Sequence, residues 1–271
     1  MFKINNLTYQ YDKTRKALDN VSMDFNKGDI IGIIGSNGSG KSTLFNNLMG
    51  ILKSTEGEIL YNGEQIKYDK KSLYNLRKEV GIVFQDPEKQ IFYSMVYDDI
   101  AFALRNIGMD EKTIKDRIHT ALEAVNGLQF IDRPVHNLSF GQKKRVAIAS
   151  VVAMENKLVL LDEPTAGLDP ISTRAIVDII KGLNKRGVKI VISSHDMNLI
   201  YEICDYVYVL NQGVLINEGT REEVFINEEK IDEAGLELPW LVKLHKNMGL
   251  PLFTREEDLY SYWNHREQKT V

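Results

Sequence analysis

An α/β fold with a largely parallel core sheet and an inserted helical lobe is what this chain of 271 residues predicts, on three observations. Strand-like and helix-like stretches alternate, the pattern of sheets whose parallel strands are joined by helices. The run Ile30-Ile31-Gly32-Ile33-Ile34 is apolar on both faces, as a central strand covered on both sides must be, and it leads straight into a glycine-rich turn. From about residue 86 to 155 the strand pattern gives way to helical stretches, and beyond it the strands resume.

In chain order, Ile30–Ile34 is the central strand and a helix over 42–49 follows the glycine turn. A strand over 57–61 is closed by Asn62-Gly63, a dipeptide suited to the positive φ of tight hairpin turns. Val80 to Phe84 reads as another strand and ends at Gln85. The lobe contains helices over 96–107, 111–125 and 141–154. Strands over 158–161 and 188–192 return to the sheet, and 206–210 with 214–218, joined by Asn211-Gln212-Gly213, form a terminal hairpin. Residues 1–225 thus make one domain with the lobe inserted, and 226–271 a charge-rich, helical C-terminal extension that carries Trp240 and Trp263. No internal repeat or low-complexity linker interrupts the chain.

Composition narrows the function. With 43% hydrophobic and 27% charged residues the chain is an ordinary globular protein, large enough to bury a sizeable core. A net charge of -4, with both signs interspersed, argues against binding nucleic acid through broad phosphate neutralisation. The single cysteine, Cys204, excludes an intramolecular disulfide and fits a reducing compartment, where it reads as a small core residue. No stretch approaches the roughly 18 apolar residues that span a bilayer. The first residues also lack the apolar core of a signal peptide. Any service to a membrane therefore requires docking onto a spanning partner.

The glycine turn is the strongest chemical signal. Gly35, Ser36, Asn37, Gly38, Ser39, Gly40, Lys41, Ser42 and Thr43 match the phosphate-binding P-loop between an apolar strand and a helix. Glycines allow successive N–H groups to turn inward on phosphate oxygens, and the helix dipole adds positive potential. Lys41 would reach the β- and γ-phosphates and the Ser42 hydroxyl would ligate Mg²⁺. Further on, Leu158-Val159-Leu160-Leu161 runs into Asp162-Glu163-Pro164. Neighbouring strand residues face opposite ways, so the two carboxylates have different tasks. Asp162 suits the Mg²⁺ shell, and Glu163 could face the γ-phosphate as base or orienter of the attacking water. Without the P-loop, an exposed acidic turn would be the better reading.

Leu138-Ser139-Phe140-Gly141-Gln142 opens a helix, and two readings of it stand side by side. Ser139 with Gln142 three residues on is a capping box. A helix N-terminus with a serine hydroxyl and a glycine backbone is also an anion site.

These motifs, in this order, resemble those of the ATP-binding cassette (ABC) ATPases over roughly residues 3–220. The resemblance implies a P-loop NTPase with a mostly parallel core sheet, an antiparallel β subdomain, a helical lobe and a C-terminal helical extension. It implies ATP and Mg²⁺ as cofactors, and a head-to-tail dimer with two ATP molecules sandwiched between chains. Residues 138–142 would be the signature motif, so that Ser139, Gly141 and Gln142 meet the γ-phosphate held by the opposing P-loop. Tyr11 matches the aromatic residue that stacks on adenine, with Tyr9 as a substitute. Gln85 matches the glutamine that touches the metal or water and senses the membrane partner. Asp169 matches the loop that crosses the dimer interface, and His195 the histidine that holds the γ-phosphate. Phe140 departs from the family's most common signature, which has glycine there; Ser139, Gly141 and Gln142 are retained, so local packing is what changes.

The stretches Phe84–Phe92 and Val96–Phe102 are similar to the ATPases of energy-coupling factor importers, and Leu138–Ala149 resembles the cobalt-importing members. Leu238–His245 also resembles their C-terminal extension. This implies a peripheral ATPase on the cytoplasmic face of the cell membrane that drives uptake of a metal ion, cobalt first, or a vitamin. Its partners would be a second ATPase subunit, identical or related, a transmembrane coupling subunit and a substrate-capture subunit. Residues around Gln90, Phe92 and Phe102 would line the groove for the membrane partner. The five histidines show no paired spacing typical of metal sites. A soluble ABC clamp on nucleic acid or ribosomes is the alternative; the acidic balance and the single nucleotide-binding unit count against it.

Overall fold

A computed structural model describes residues 1–12 and 15–267. The chain begins with strands β1 (Phe2–Gln10), β2 (Lys16–Asp24) and β3 (Ile30–Ile34), then helix α1 (Lys41–Leu48), strands β4 (Glu56–Tyr61) and β5 (Glu64–Gln65), helix α2 (Lys70–Glu79) and strand β6 (Val80–Val83). The lobe is α3 (Val96–Asn106), α4 (Glu111–Ala124) and α5 (Phe140–Ala153). Then come β7 (Leu158–Asp162), α6 (Pro170–Lys185), β8 (Lys189–Ser194), α7 (Met197–Ile203) and the antiparallel pair β9 (Tyr206–Asn211) and β10 (Val214–Thr220). Helices α8 (Arg221–Ile226), α9 (Glu228–Glu233), α10 (Trp240–Met248) and α11 (Glu256–Glu267) follow.

Two sheets result. One is antiparallel, in the order β2-β1-β4-β5; the other runs β10-β9-β3-β8-β7-β6, with parallel pairing from β9 through β6. The mostly parallel core sheet, the antiparallel subdomain and the helical lobe expected from the sequence are all present.

The apolar strands explain the layering. Alternation along β3 sends Ile31 and Ile33 to a core shared with Phe2, Ile4, Leu7, Leu44 and Phe45, and Ile30 and Ile34 to a core built with the helices. β7 divides the same way, with Leu158 and Leu160 on one side and Val159 and Leu161 on the other. The antiparallel sheet, α1 and α2 thus cover one face, and the lobe helices with α6 and α7 the other. Burying each such side chain contributes about 1.5–3 kcal/mol, against about 1–2 kcal/mol to fix each residue's backbone. Strands buried on both faces therefore anchor the fold, and the loops leaving their ends inherit fixed positions.

Among the helices with no counterpart in the sequence-predicted elements are α2, α6 and α7. Each begins at an aspartate cap: Asp69 accepts from Lys71 N and Ser72 N, Asp169 from Ser172 N, and Asp196 from Asn198 N and Leu199 N. Helices α9 to α11 send Ile231, Leu241, Val242 and Leu259 into the same core as the lobe. Among the described residues no helix is long and apolar enough to cross a membrane.

Candidate active site

Because β3, β6, β7 and β8 run in one direction, the segments leaving their carboxyl ends gather along one edge of the sheet. β3 delivers the glycine turn, β6 leads to Gln85, β7 ends at Asp162 with Glu163 next, and β8 ends at Ser194 with His195 next. Pairing of Asp162 with Ser193 and of Ile34 with Ser194 sets these groups at the same level.

They surround a cavity of about 400 Å³ lined by Tyr11, Asn37 to Thr43, Gln85, Asp162 and Glu163. Gly40 starts α1 at φ 109°, and a Cβ there would lie 2.7 Å from the main-chain oxygen of Ala17, so only glycine fits. Lys41 is 6% exposed, and its ammonium donates to Gly35 O at 2.6 Å and Ser36 O at 3.2 Å. Burial lowers its pKa, while Glu163 and Asp162 act in the opposite sense. Ser42 Oγ donates to Asp162 Oδ2 at 2.8 Å. The other carboxylate oxygen of Asp162 accepts a short hydrogen bond from Ser193 Oγ.

Glu163 is the most constrained member. Its φ of 46° lies in the left-handed region, which costs a non-glycine residue about 1–3 kcal/mol. That conformation is held by its N–H, which faces Ser193 O at 3.0 Å and Ser193 Oγ at 3.2 Å, and by its carbonyl, which accepts from Lys144 Nζ at 3.2 Å. On its side chain, Oε2 is 2.9 Å from His195 Nδ1, whereas Oε1 is buried with no hydrogen-bond partner and lies 3.8 Å from Lys41 Nζ. His195 does not line the cavity; it reaches the site through this carboxylate. Tyr11 is 64% exposed, with its hydroxyl 3.2 Å from Thr43 Oγ1 and its ring edge-on to Tyr9.

The signature segment stands apart from this cavity. Ser139 Oγ accepts from Gln142 N and Gln142 Oε1 accepts from Ser139 N, so the capping box is fully formed. Gly141 backs onto α6: a Cβ there would lie 3.0 Å from Ser172 Oγ, and that hydroxyl donates to Asp169 Oδ2 at 2.7 Å. Asp169 has a lowered pKa because Ser172 N–H and then its hydroxyl donate to it. Ser139, Gly141, Gln142 and Asp169 therefore form one neighbourhood and Lys41, Asp162 and Glu163 another.

Several residues here were not singled out from sequence. Ser193 orients Asp162, and Lys144 joins Glu163 O to Gln85 O, the latter at 2.5 Å. A lysine on the helical face shared with Ile148 and Val151 was a signal, since such a face should be apolar. Arg15, Lys16, Ala17 and Gln212 also border the cavity. Gln90, expected near the groove for a membrane partner, turns inward instead: it accepts from Phe84 N and donates to Ala147 O, both at 3.1 Å, tying β6 to α5. Phe92, Tyr93 and Phe102 remain 78%, 43% and 41% exposed. Among the described residues no group of three or more His, Cys, Asp or Glu side chains could hold a metal.

Similarity to known proteins extends over the whole chain. The ABC transporter family model matches residues 18–166. The cobalt import ATP-binding protein CbiO of Salmonella typhimurium is 45% identical over 269 residues, 99% of this chain and 97% of that protein. The energy-coupling factor transporter ATP-binding protein EcfA of Methanosphaera stadtmanae is 43% identical over 248 residues, 92% of this chain and 89% of that one. Among solved structures, CbiO1 of Clostridium perfringens, part of the ABC transporter complex CbiONQ, aligns with a TM-score of 0.78 at 41% identity, covering 90% of this chain and 98% of that one.

Proposed function

The chain belongs to the ABC transporter family, and from that premise we propose that it is the ATP-hydrolysing subunit of an energy-coupling factor importer. Two such chains close on two ATP molecules to drive uptake of a metal ion, cobalt foremost, through a membrane partner. The observation that carries this reading is the convergence of Lys41, Ser42, Asp162 and Glu163 on one cavity, with a buried Glu163 oxygen left without a hydrogen-bond partner beside the Lys41 ammonium. The cobalt assignment rests on the likeness to the CbiO proteins.

In this reading the glycine turn binds the β- and γ-phosphates through its N–H groups, and Lys41 swings from the carbonyls of Gly35 and Ser36 to the phosphate oxygens. Glu163 Oε1 takes the proton of the water that attacks the γ-phosphorus as the bond to the bridging oxygen of ADP breaks. His195 holds the other Glu163 oxygen and so sets the direction of the free one. Ser42 and Asp162, with Gln85 on the same cavity, are hard oxygen donors of the kind Mg²⁺ takes, and they would hold it. When bound, the ion neutralises phosphate charge. Tyr11 offers its exposed ring to adenine.

Ser139, Gly141, Gln142 and Asp169 lie outside their own chain's cavity, as they would in a site completed by a second copy. Exposed Phe140 and Ile171 beside them, 40% and 81% exposed, are apolar surface that such pairing would cover. On the lobe, exposed Phe92, Tyr93 and Phe102 are the surface offered to the transmembrane subunit in this reading, which has the chain sit peripherally on the cytoplasmic face of the membrane.

Steady-state hydrolysis by Glu163→Gln tests the reading. Turnover should fall by about 10²- to 10⁴-fold, and an ATP-bound dimer should accumulate on a sizing column. Wild-type turnover in this variant removes Glu163 from the base role. Cobalt uptake by cells expressing the chain with its membrane partners should be lost in the same variant; uptake of a vitamin in place of cobalt would reassign the cargo.

A further inference from the structure

Lys144 is fully buried on α5, one turn inside the capped N-terminus that carries Ser139 and Gly141. A lysine seldom occupies such a place, because its ammonium must be removed from water. Its two hydrogen bonds both go to main-chain carbonyls, Gln85 O at 2.5 Å and Glu163 O at 3.2 Å. The Phe140 ring lies over it, 5.8 Å from centroid to Nζ. Burial pulls its pKa down to about 8, against the pull of Asp162, Asp86 and Glu163.

The identity of the two carbonyls is what matters. Gln85 stands where β6 leaves the sheet for the lobe, and Glu163 is the residue after β7 whose left-handed backbone aims the free carboxylate oxygen. α5 belongs to the lobe. A single ammonium thus ties the lobe to the carboxyl ends of two sheet strands, at the residues nearest the cavity. A methionine of similar length would fill the space equally well, so packing alone does not require a charge here.

We propose that Lys144 is a positioning residue for ATP hydrolysis: by bonding the main chain of Gln85 and Glu163 together it registers the signature helix against the Glu163 carboxylate. The proposal rests on the reading of Glu163 as the base. It deepens that reading by naming what couples the lobe to the base. Lys144 touches no substrate; it acts through Glu163 and Gln85. Losing it should therefore slow the chemical step and leave binding of ATP by the P-loop intact.

The full-length Lys144→Met, Lys144→Gln and Lys144→Arg variants, with Glu163→Gln alongside, are measured for kcat, KM for ATP, equilibrium ATP affinity and melting midpoint. Lys144→Met should lower kcat by about 10- to 100-fold, the scale of a small misplacement of a catalytic group, with KM and ATP affinity held within about twofold. Lys144→Arg, which still donates to carbonyls, should recover most of the loss, and Lys144→Gln, whose amide donates but is shorter and uncharged, part of it. If Lys144→Met does not fold, the graded pair Arg and Gln carries the test. Adding Lys144→Met to Glu163→Gln should cause no further loss, because the first residue acts through the second. Wild-type kcat in Lys144→Met beside an inactive Glu163→Gln overturns this proposal alone. Parallel loss of kcat, ATP affinity and melting midpoint, with no recovery in Lys144→Arg, overturns it as well by assigning Lys144 to packing. Full turnover in Glu163→Gln overturns the base reading and this proposal together.

Discussion

Ser139 shows how much one side chain can be asked to do. Its hydroxyl already accepts from Gln142 N as a helix cap, and the proposed two-chain site asks the same oxygen to meet a γ-phosphate. The two tasks separate by substitution. Ser139→Ala should cost about 0.5–2 kcal/mol in urea unfolding, the usual price of a lost cap, whereas Ser139→Asn should cost little, since asparagine caps as well as serine. Turnover should fall in both. Wild-type turnover in a stable Ser139→Asn would leave the residue a cap only. The capping box was legible from Ser139 and Gln142 three residues apart, and so was the P-loop, because both motifs are local. Ser193 was not legible: its importance lies in facing Asp162 across β7 and β8, a partner 31 residues away.

At the scale of elements, the start of α3 is where a buried charge bears on stability. Asp99 is buried, and its Oδ1 accepts from Phe92 N at 2.8 Å and Tyr93 N at 3.2 Å, which fixes the segment carrying the exposed aromatic residues. Burial raises its pKa above the ordinary 3.8. The folded chain therefore keeps this proton to higher pH than the unfolded chain does. Its contribution is greatest below 3.8 and declines as pH rises through the folded value. Asp99→Asn keeps an acceptor oxygen but cannot titrate, so urea unfolding across this range should show a flatter decline with rising pH than in the wild type. An unchanged slope would show that Asp99 is not the group responsible. Strands β3 and β7 were legible because burial on both faces leaves an unbroken apolar run; α2, α6 and α7 have weaker local signals, chiefly an aspartate cap, and depend on what they pack against.

For the molecule as a whole, the separation of the signature neighbourhood from the P-loop cavity makes a prediction about pairs of chains. Lys41→Ala and Ser139→Asn should each be inactive alone. If each site joins the P-loop of one chain to the signature of the other, mixing the two variants gives heterodimers with both lesions in one site and the second site intact. Turnover in the mixture should then recover to about a quarter of wild type, one intact site in the half of the dimers that are mixed. No recovery would mean that each chain completes its own site. The sequence by itself determined the parallel core, the phosphate loop and the acidic strand end, because strand burial and loop-to-helix geometry are written in neighbouring residues. Only the tertiary structure decided that Lys144 binds the main chain of Gln85 and Glu163, that Ser193 orients Asp162, that Gln90 turns inward, and that His195 reaches the cavity through Glu163. Apart from the local bond of Gln90 to Phe84 N, each of those contacts joins segments remote in the chain, as Gln90 to Ala147 O does, and the tertiary fold, not local pattern, brings them within a hydrogen bond of one another.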